Sequence, residues 1–266
     1  AAEPAPPLAV LPPDSVGLNR ERLDEIATIL EEGIEDSVFT AASLVVGRRG
    51  AIAYQVGVGS LADSGAVSPS STLFDLASLT KVVGTTTAAA ILIDRGEMGL
   101  DAPVARYVDE FRGADKSDVT IRQLLSHTSG LPAGIWLYGA ADSEEGAWDR
   151  LFRVALQRKP GETMEYSDLG MILLALAVER VAEMPLDEFL AVNLFHPLGM
   201  HRTTYLPGAA NFGSTVPTAA SSERSYPTQA IVHDGNAFRL NGVAGHAGLF
   251  STAADLAVFA QMTLQR

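Results

Sequence analysis

A serine and a lysine in one apolar segment carry the clearest chemical signal in this sequence. Ser78 and Lys81 stand three positions apart in the run DLASLTKVVGTTTAAAIL, whose composition predicts a buried helix. Side chains at positions i and i+3 are neighbours on a helix, so these two should lie close together. A lysine in such a helix must find a partner or lose its proton, and a neutral lysine can act as a base towards a nearby hydroxyl. The spacing therefore predicts an activated serine; the alternative is a helix start whose lysine extends its ammonium group to solvent.

A tyrosine stands where another apolar helix should begin. In PGETMEYSDLGMILLALAVERVAEM, Tyr166 precedes Ser167 and Asp168 at the turn into the helix. The phenol could relay a proton if a nearby lysine ammonium favoured its ionised form. Taken alone, the segment is more typical of a packed tyrosine whose neighbour Ser167 or Asp168 caps the helix.

The histidine positions give weaker evidence for a reactive site or a metal site. His127, in SHTSG, fits the end of a helix better than a reactive position. His233, Asp234 and His246 stand in loops rich in Gly and Asn, and their spacing matches no recognised metal-ligand pattern. The absence of cysteine excludes thiolate ligands and a cysteine nucleophile. We therefore expect no metal and no cofactor, interpret these loop residues as structural braces, and leave the roles of His233 and Asp234 open.

Four motifs resemble those of the serine β-lactamase and DD-peptidase superfamily: SLTK, LLSHTSGLP, YSD and GLFSTAADLAVFAQ. The resemblance extends from about Leu18 to Gln265, and it is nearest to the class C-like branch with its esterase and penicillin-binding relatives. Ser-x-x-Lys is a signature of these enzymes. The resemblance implies that Ser78 is the catalytic nucleophile, that Lys81 is its proton-transfer partner, and that Tyr166 opens the Tyr-x-Asn motif of the family.

One position departs from the family pattern. The resemblance places Asp168 at the third position of the Tyr-x-Asn motif, where it would bind substrate, and makes His246, within GHAG, a second candidate for substrate binding. Asn can donate a hydrogen bond to a substrate carbonyl, whereas an ionised Asp can only accept one. Asp168 near Lys81 would also keep the lysine protonated, which favours Tyr166 as the base. We therefore expect short esters or D-amino-acid peptides to be better substrates than cephalosporins.

The expected function is that of a serine hydrolase that forms an acyl-enzyme on amide, β-lactam or ester carbonyls. The alternative is a catalytically silent binding or scaffold protein of the same fold, which the Asp168 departure supports. An α/β-hydrolase is excluded because the chain contains no Gly-x-Ser-x-Gly.

The net charge and the lengths of the apolar runs limit the kinds of partner that this protein can bind. The net charge of −13 and the lack of a basic cluster argue against nucleic-acid and anionic-membrane partners. No apolar run approaches the roughly 20 residues that a membrane helix needs. The start, AAEPAPPLAVLPPD, resembles the beginning of a mature exported chain. We therefore expect a periplasmic or extracellular protein that acts on a small-molecule or peptidoglycan-like substrate.

The order of elements predicts an α+β fold. Residues 1–14 read as an extended tail, and residues 15–72 as the N-terminal part of a sheet domain, with a helix over Asn19–Glu35 and a hairpin over Ala42–Leu61. Residues 73–266 read as a mainly helical domain that carries the motifs. The resemblance implies the β-lactamase/transpeptidase-like fold, an antiparallel sheet flanked by helices.

The C-terminal part of that fold is expected to be missing. The resemblance implies further sheet strands and a Lys/His-Thr/Ser-Gly motif, but GHAG is followed by apolar residues at helical spacing from Asp255 to Met262. We therefore interpret GHAG as a structural turn. The hairpin alone would form a two-stranded sheet with an open edge. We therefore expect either that a second polypeptide supplies the missing strands or that this chain alone is nearly inactive.

Overall fold

The architecture comes from a computed structural model, which describes residues 5–62, 65–113, 115–137, 143–220, 224–225 and 227–265. Contacts within the chain divide it into two units. Unit 1 comprises Ala1–Asp75, Val192–Ile231 and Phe250–Arg266, and unit 2 comprises Leu76–Ala191 and Val232–Leu249.

The described strands have at most nine residues and the described helices at most 16. In chain order, the strands are β1 (Ala9–Val10), β2 (Ala41–Arg48), β3 (Ala51–Gly59), β4 (Phe74–Asp75), β5 (Thr204–Tyr205) and β6 (Leu249–Ser251). The α-helices are α1 (Arg20–Glu35), α2 (Thr87–Asp94), α3 (Ile121–Leu125), α4 (Glu144–Arg153), α5 (Asp168–Ala182), α6 (Leu186–Leu190), α7 (His196–Leu198), α8 (Gly235–Arg239) and α9 (Ala253–Leu264). Among these described helices, none has both the length and the apolarity to cross a membrane.

The first sheet of unit 1 has three strands in the order β1-β3-β2. β2 and β3 form the predicted hairpin, and Arg49 and Gly50 both adopt positive φ at its turn, as the favoured two-residue hairpin loop requires. β1 pairs in parallel with β3, with Ala9 opposite Ala51. The sequence predicted an extended tail over residues 1–14 and a two-stranded sheet; two residues of that tail pair with the hairpin, so the sheet has three strands and not two.

A second sheet of unit 1 brings distant segments together in the order β4-β6-β5. Thr203 donates a hydrogen bond of 2.9 Å to Asp255, and its hydroxyl lies 2.7 Å from that of Ser251. The helix expected after GHAG is α9, which packs against β2 and is capped by Thr252, but a short strand precedes it. The sequence assigned 73–266 to one helical domain, whereas the structure places three of its segments, residues 73–75, 192–231 and 250–266, with unit 1.

Unit 2 is built around α5. Nine of the fifteen residues of this helix are buried, and it packs against α2, α3 and α6. Such an all-round apolar helix belongs at the centre of a helical core. A capping box begins α3, with the Thr120 hydroxyl accepting the Gln123 N–H and the Gln123 side chain accepting the Thr120 N–H.

Candidate active site

Ser78 and Lys81 meet at the start of a helical segment, as their spacing predicts. Ser78 is exposed in a tight turn that follows Ala77, whose φ of 44° is in the left-handed region. The helix then begins, and Lys81 opens a π-helical stretch over Lys81–Thr86. The Lys81 Nζ atom donates to the Ser78 Oγ atom at 2.9 Å. Non-glycine residues at positive φ and π-helical turns both concentrate at functional sites, so the backbone here agrees with the side-chain chemistry.

Lys81 is almost fully buried, with 4% of its side chain exposed, and it has three acceptors. These are the Ser78 hydroxyl, the Asp168 Oδ1 atom at 2.7 Å and the His246 carbonyl oxygen at 3.0 Å. A lysine ammonium has three N–H donors and no acceptor, so the three partners match its charged form. The sequence required this buried lysine to find a partner, and the structure gives it three.

The entrance to α5, residues Tyr166–Asp168, is held by the segment before it. Ser167 is the N-cap of α5, and its hydroxyl also donates to the Pro132 carbonyl at 2.7 Å. The Asp168 N–H donates to the Ala133 carbonyl at 2.8 Å. These contacts fix the backbone on both sides of the Asp168 side chain, so the carboxylate reaches Lys81 from a rigid helix start.

Tyr166 lies over the lysine with about half of its side chain exposed. The Lys81 Nζ atom is 4.8 Å from the centre of the Tyr166 ring, within the range of a cation–π contact. On another side, the ring packs against His127, with 4.6 Å between the ring centres and 39° between the planes. The sequence placed Tyr166 near the serine and lysine only by resemblance, and it gave no role to His127 beyond a helix end.

The 245–249 loop reaches Lys81 with its main chain. The Thr85 hydroxyl donates to the Gly245 carbonyl at 2.7 Å, and the Leu249 N–H donates to the Thr80 hydroxyl at 3.2 Å. Gly245 lies so close to α5 that a Cβ atom there would be 2.1 Å from the Met171 carbonyl oxygen. The loop is thus fixed between two helices, and the His246 carbonyl is the group that it presents to Lys81.

The ring of His246, unlike its carbonyl, faces Asp234. It is 1% exposed, and its Nε2 atom lies 2.8 Å from the Asp234 Oδ1 atom. Asp234 also caps α8 by accepting the Ala237 N–H at 2.8 Å. The expected substrate contact of His246 is not what this geometry favours, because the buried ring is engaged with Asp234. Within the described residues, no group of three or more His, Asp or Glu side chains is arranged to hold a metal ion.

The charge of Asp234 is stabilised by these neighbours. Burial alone would raise the pKa of Asp234, but the hydrogen bond and charge of His246, the Ala237 N–H and the charge of Lys81 outweigh it and lower the pKa to about 2. The sequence left the role of Asp234 open; a helix-capping position at the start of α8 was the signal that could have indicated it.

The comparisons with known proteins identify a family for this chain. The family model "Beta-lactamase" matches residues 26–266. A protein of Escherichia coli (strain K12) named "Putative D-alanyl-D-alanine carboxypeptidase" is 28% identical over 97% of this chain and 68% of its own length. The "N-acetylmuramyl-L-alanine amidase" of Bacillus subtilis (strain 168) is 32% identical over 73% of this chain and 50% of its own length.

A solved structure shares the fold. The class C beta lactamase from Rhodobacter sphaeroides is 26% identical, with a TM-score of 0.73 over 90% of this chain and 64% of that chain. The protein thus spans between half and about two thirds of the length of these relatives. The predicted superfamily and the β-lactamase/transpeptidase-like fold are confirmed, and the protein belongs to the beta-lactamase family.

Proposed function

We propose that this protein is a serine hydrolase that forms an acyl-enzyme on Ser78. The observation that carries the proposal is the contact of 2.9 Å between the buried Lys81 ammonium and the exposed Ser78 hydroxyl. An exposed serine oxygen can meet a substrate carbonyl, and a neighbouring fixed cation stabilises the negative charge that the oxygen acquires. The matched relatives support the proposal, because a carboxypeptidase, an amidase and a beta lactamase are all enzymes that cleave amide bonds.

The proton of Ser78 needs an acceptor other than Lys81. The ammonium already donates to three oxygens, so it acts by its charge. We assign the acceptor role to Tyr166, reacting as the phenolate, because its ring lies beside Lys81, with 4.8 Å between the Nζ atom and the ring centre. As the Oγ–H bond breaks, Oγ bonds to the carbonyl carbon and the proton passes to Tyr166. Tyr166 then gives this proton to the leaving amine or alkoxide. In the second step, water gives a proton to Tyr166 as it attacks the acyl carbonyl, and Tyr166 returns a proton to the Ser78 Oγ atom as the acyl group leaves.

Asp168 directs the proposal towards particular substrates. Its carboxylate accepts from Lys81 and has no hydrogen to donate to a substrate amide carbonyl. Short esters and D-amino-acid peptides of the peptidoglycan type are therefore proposed ahead of β-lactams. Two further points stay predictions: export to the periplasm or the medium, and a second polypeptide that supplies strands.

Covalent labelling tests the proposal directly. We expect a fluorophosphonate to add one adduct per chain to the parent protein, measured by intact mass, and none to Ser78→Ala. The Ser70→Ala variant, at another exposed serine, should label like the parent. Turnover of p-nitrophenyl esters should fall by at least about 10³-fold in Ser78→Ala, as for other nucleophile deletions, while the lost stability stays near 1 kcal/mol or less.

Two results would overturn the proposal. Equal labelling of Ser78→Ala and the parent would show that Ser78 is not the nucleophile. A lack of adduct with both the fluorophosphonate and a labelled penicillin, under conditions that modify a control enzyme, would support the silent binding or scaffold protein instead.

A further inference from the structure

His127 contacts three consecutive residues at the approach to α5. Its carbonyl accepts the Glu165 N–H at 2.8 Å, and its Nδ1 atom accepts the Ser167 N–H at 3.1 Å. Between these two contacts, its ring packs against the Tyr166 ring. His127 itself is at a φ of 56°, in the left-handed region that is uncommon for residues other than glycine. One strained residue therefore holds the backbone on both sides of Tyr166 and the ring of Tyr166 as well.

The contact to Ser167 fixes the protonation of the imidazole. A main-chain N–H can only donate, so the Nδ1 atom that receives it must carry no proton. The ring is then the neutral tautomer with its hydrogen on Nε2. Protonation of Nδ1 would set two N–H groups against each other and break the contact.

The charged groups around His127 have opposite effects on its pKa. Lys81 approaches from the π-helical stretch and Asp168 from α5, while Glu165 is paired with Arg158 at 3.6 Å. Burial of the ring and then the positive charge of Lys81 lower the pKa of His127, and the charge of Asp168 opposes them. The net effect keeps the ring neutral to a lower pH than for a solvent-exposed histidine.

We propose that His127 is a positioning residue for the reaction: as a neutral imidazole it holds the Tyr166 ring beside Lys81, and its protonation releases that ring and stops acylation of Ser78. The inference rests on the proposed function, in which Tyr166 takes the serine proton. A base must lie within hydrogen-bond reach of the proton it accepts, so loss of its support should lower kcat rather than weaken substrate binding.

Two substitutions separate the functions of the residue without adding backbone strain. His127→Gly tolerates positive φ but removes both the acceptor and the ring. His127→Asn also tolerates positive φ, and its side-chain oxygen can replace the Nδ1 acceptor without titrating. We expect kcat for a p-nitrophenyl ester to fall about 100-fold in His127→Gly with KM nearly unchanged, since small displacements of catalytic groups cost this much. His127→Asn should recover about tenfold of that loss.

The pH profile supplies the decisive measurement. In the parent protein, kcat should fall on the acid side, with an apparent pKa below the 6.5 of an unperturbed histidine. In His127→Asn the acid limb should change, because the substituted residue no longer contributes to it. An unchanged acid limb in His127→Asn, or an unchanged kcat in His127→Gly, would overturn the inference.

A spectroscopic readout keeps the inference separate from the activity. Nitrogen NMR of the labelled parent protein near pH 7, with the His127 signals assigned from their absence in His127→Asn, should show Nδ1 unprotonated and Nε2 protonated. A protonated Nδ1 would also overturn the inference, whatever the kinetics. If the fluorophosphonate leaves Ser78 unmodified, the proposed function fails first and the catalytic role of His127 fails with it, even where the tautomer is as expected.

Discussion

Two carboxylates influence the Lys81 ammonium, and the chain uses them differently. Asp168 contacts Nζ directly at 2.7 Å from the start of α5, and about a third of its side chain is exposed. Asp234 has no contact of this kind; it holds the ring of His246, whose carbonyl oxygen is the atom that accepts from Lys81. One carboxylate thus sets the charge environment of the lysine, and the other supports the loop that helps to position it.

The two carboxylates therefore differ in function: Asp168 belongs to the reactive groups, and Asp234 supports the loop beside them. The Asp168 side chain can be changed while the Ser167 cap and the main-chain contact to Ala133 keep the helix start in place. The 245–249 loop contributes a main-chain oxygen, which no substitution removes, and it depends on the space around Gly245. Substitutions at Asp168 should therefore alter the reaction first, and substitutions in or behind the loop should alter stability first.

The largest effect is expected from Asp168→Asn. The amide can still accept from Lys81 and can also donate to a substrate carbonyl. The ratio of kcat/KM for nitrocefin to that for a p-nitrophenyl ester should rise about 100-fold, the scale of one well-placed donor. Steady-state kinetics on both substrates measure it.

The matched control is Asp94→Asn, which removes an equal charge from an exposed position on α2 and should leave the ratio unchanged. Asp168→Asn without any gain towards nitrocefin would break the assignment of Asp168 to the chemistry. So would a parent protein that hydrolyses nitrocefin more efficiently than the ester.

A smaller effect, on stability, is expected from Gly245→Ala. The added Cβ would lie 2.1 Å from the Met171 carbonyl oxygen and 2.6 Å from the Ala175 Cβ atom, so the loop or α5 must shift. Such overpacking costs about 1–3 kcal/mol of unfolding free energy, which urea titration measures. Gly213→Ala, where a Cβ would meet nothing within 4 Å, is the control and should change stability little. An unaltered unfolding free energy in Gly245→Ala would show that the loop is not tightly packed on α5.

The sequence predicted the parts of this site that are local. The contact between Ser78 and Lys81 follows from a spacing of three residues, and the hairpin of β2 and β3, which lies outside the site, follows from an equally local pattern. Neighbouring residues have little freedom to adopt other distances, so local patterns carry this information reliably.

The remainder depends on contacts between distant parts of the chain. The His246 carbonyl is 165 positions from Lys81, and a main-chain oxygen has no residue type by which to recognise it. Asp168 was placed near Lys81 only through the family resemblance. The role of His127 depends on its contacts with residues about 40 positions away, and β1 rests on two residues, Ala9 and Val10, in a segment rich in proline.

The smallest effect is expected from Asp234→Asn, the counterpart of the substitution at Asp168. Asn keeps the α8 cap, because its oxygen can accept the Ala237 N–H, but it loses the charge that faces His246. The pKa of Asp234 is about 2 in the folded protein, below the 3.8 of a free aspartate, so ionised Asp234 stabilises the fold above pH 3.8 and this contribution is lost as the pH falls towards 2. Because over a third of the side chain is exposed, we expect solvent to reduce the effect to about 1 kcal/mol at pH 6.

Urea titrations of the parent and Asp234→Asn at pH 6, 4 and 2.5 should show a difference in unfolding free energy that shrinks at the lowest pH, with the nitrocefin-to-ester ratio unchanged. A difference that is the same at every pH would mean that Asp234 acts by hydrogen bonding and packing rather than by charge, and an altered substrate ratio would mean that both carboxylates, and not Asp168 alone, take part in the chemistry at Lys81.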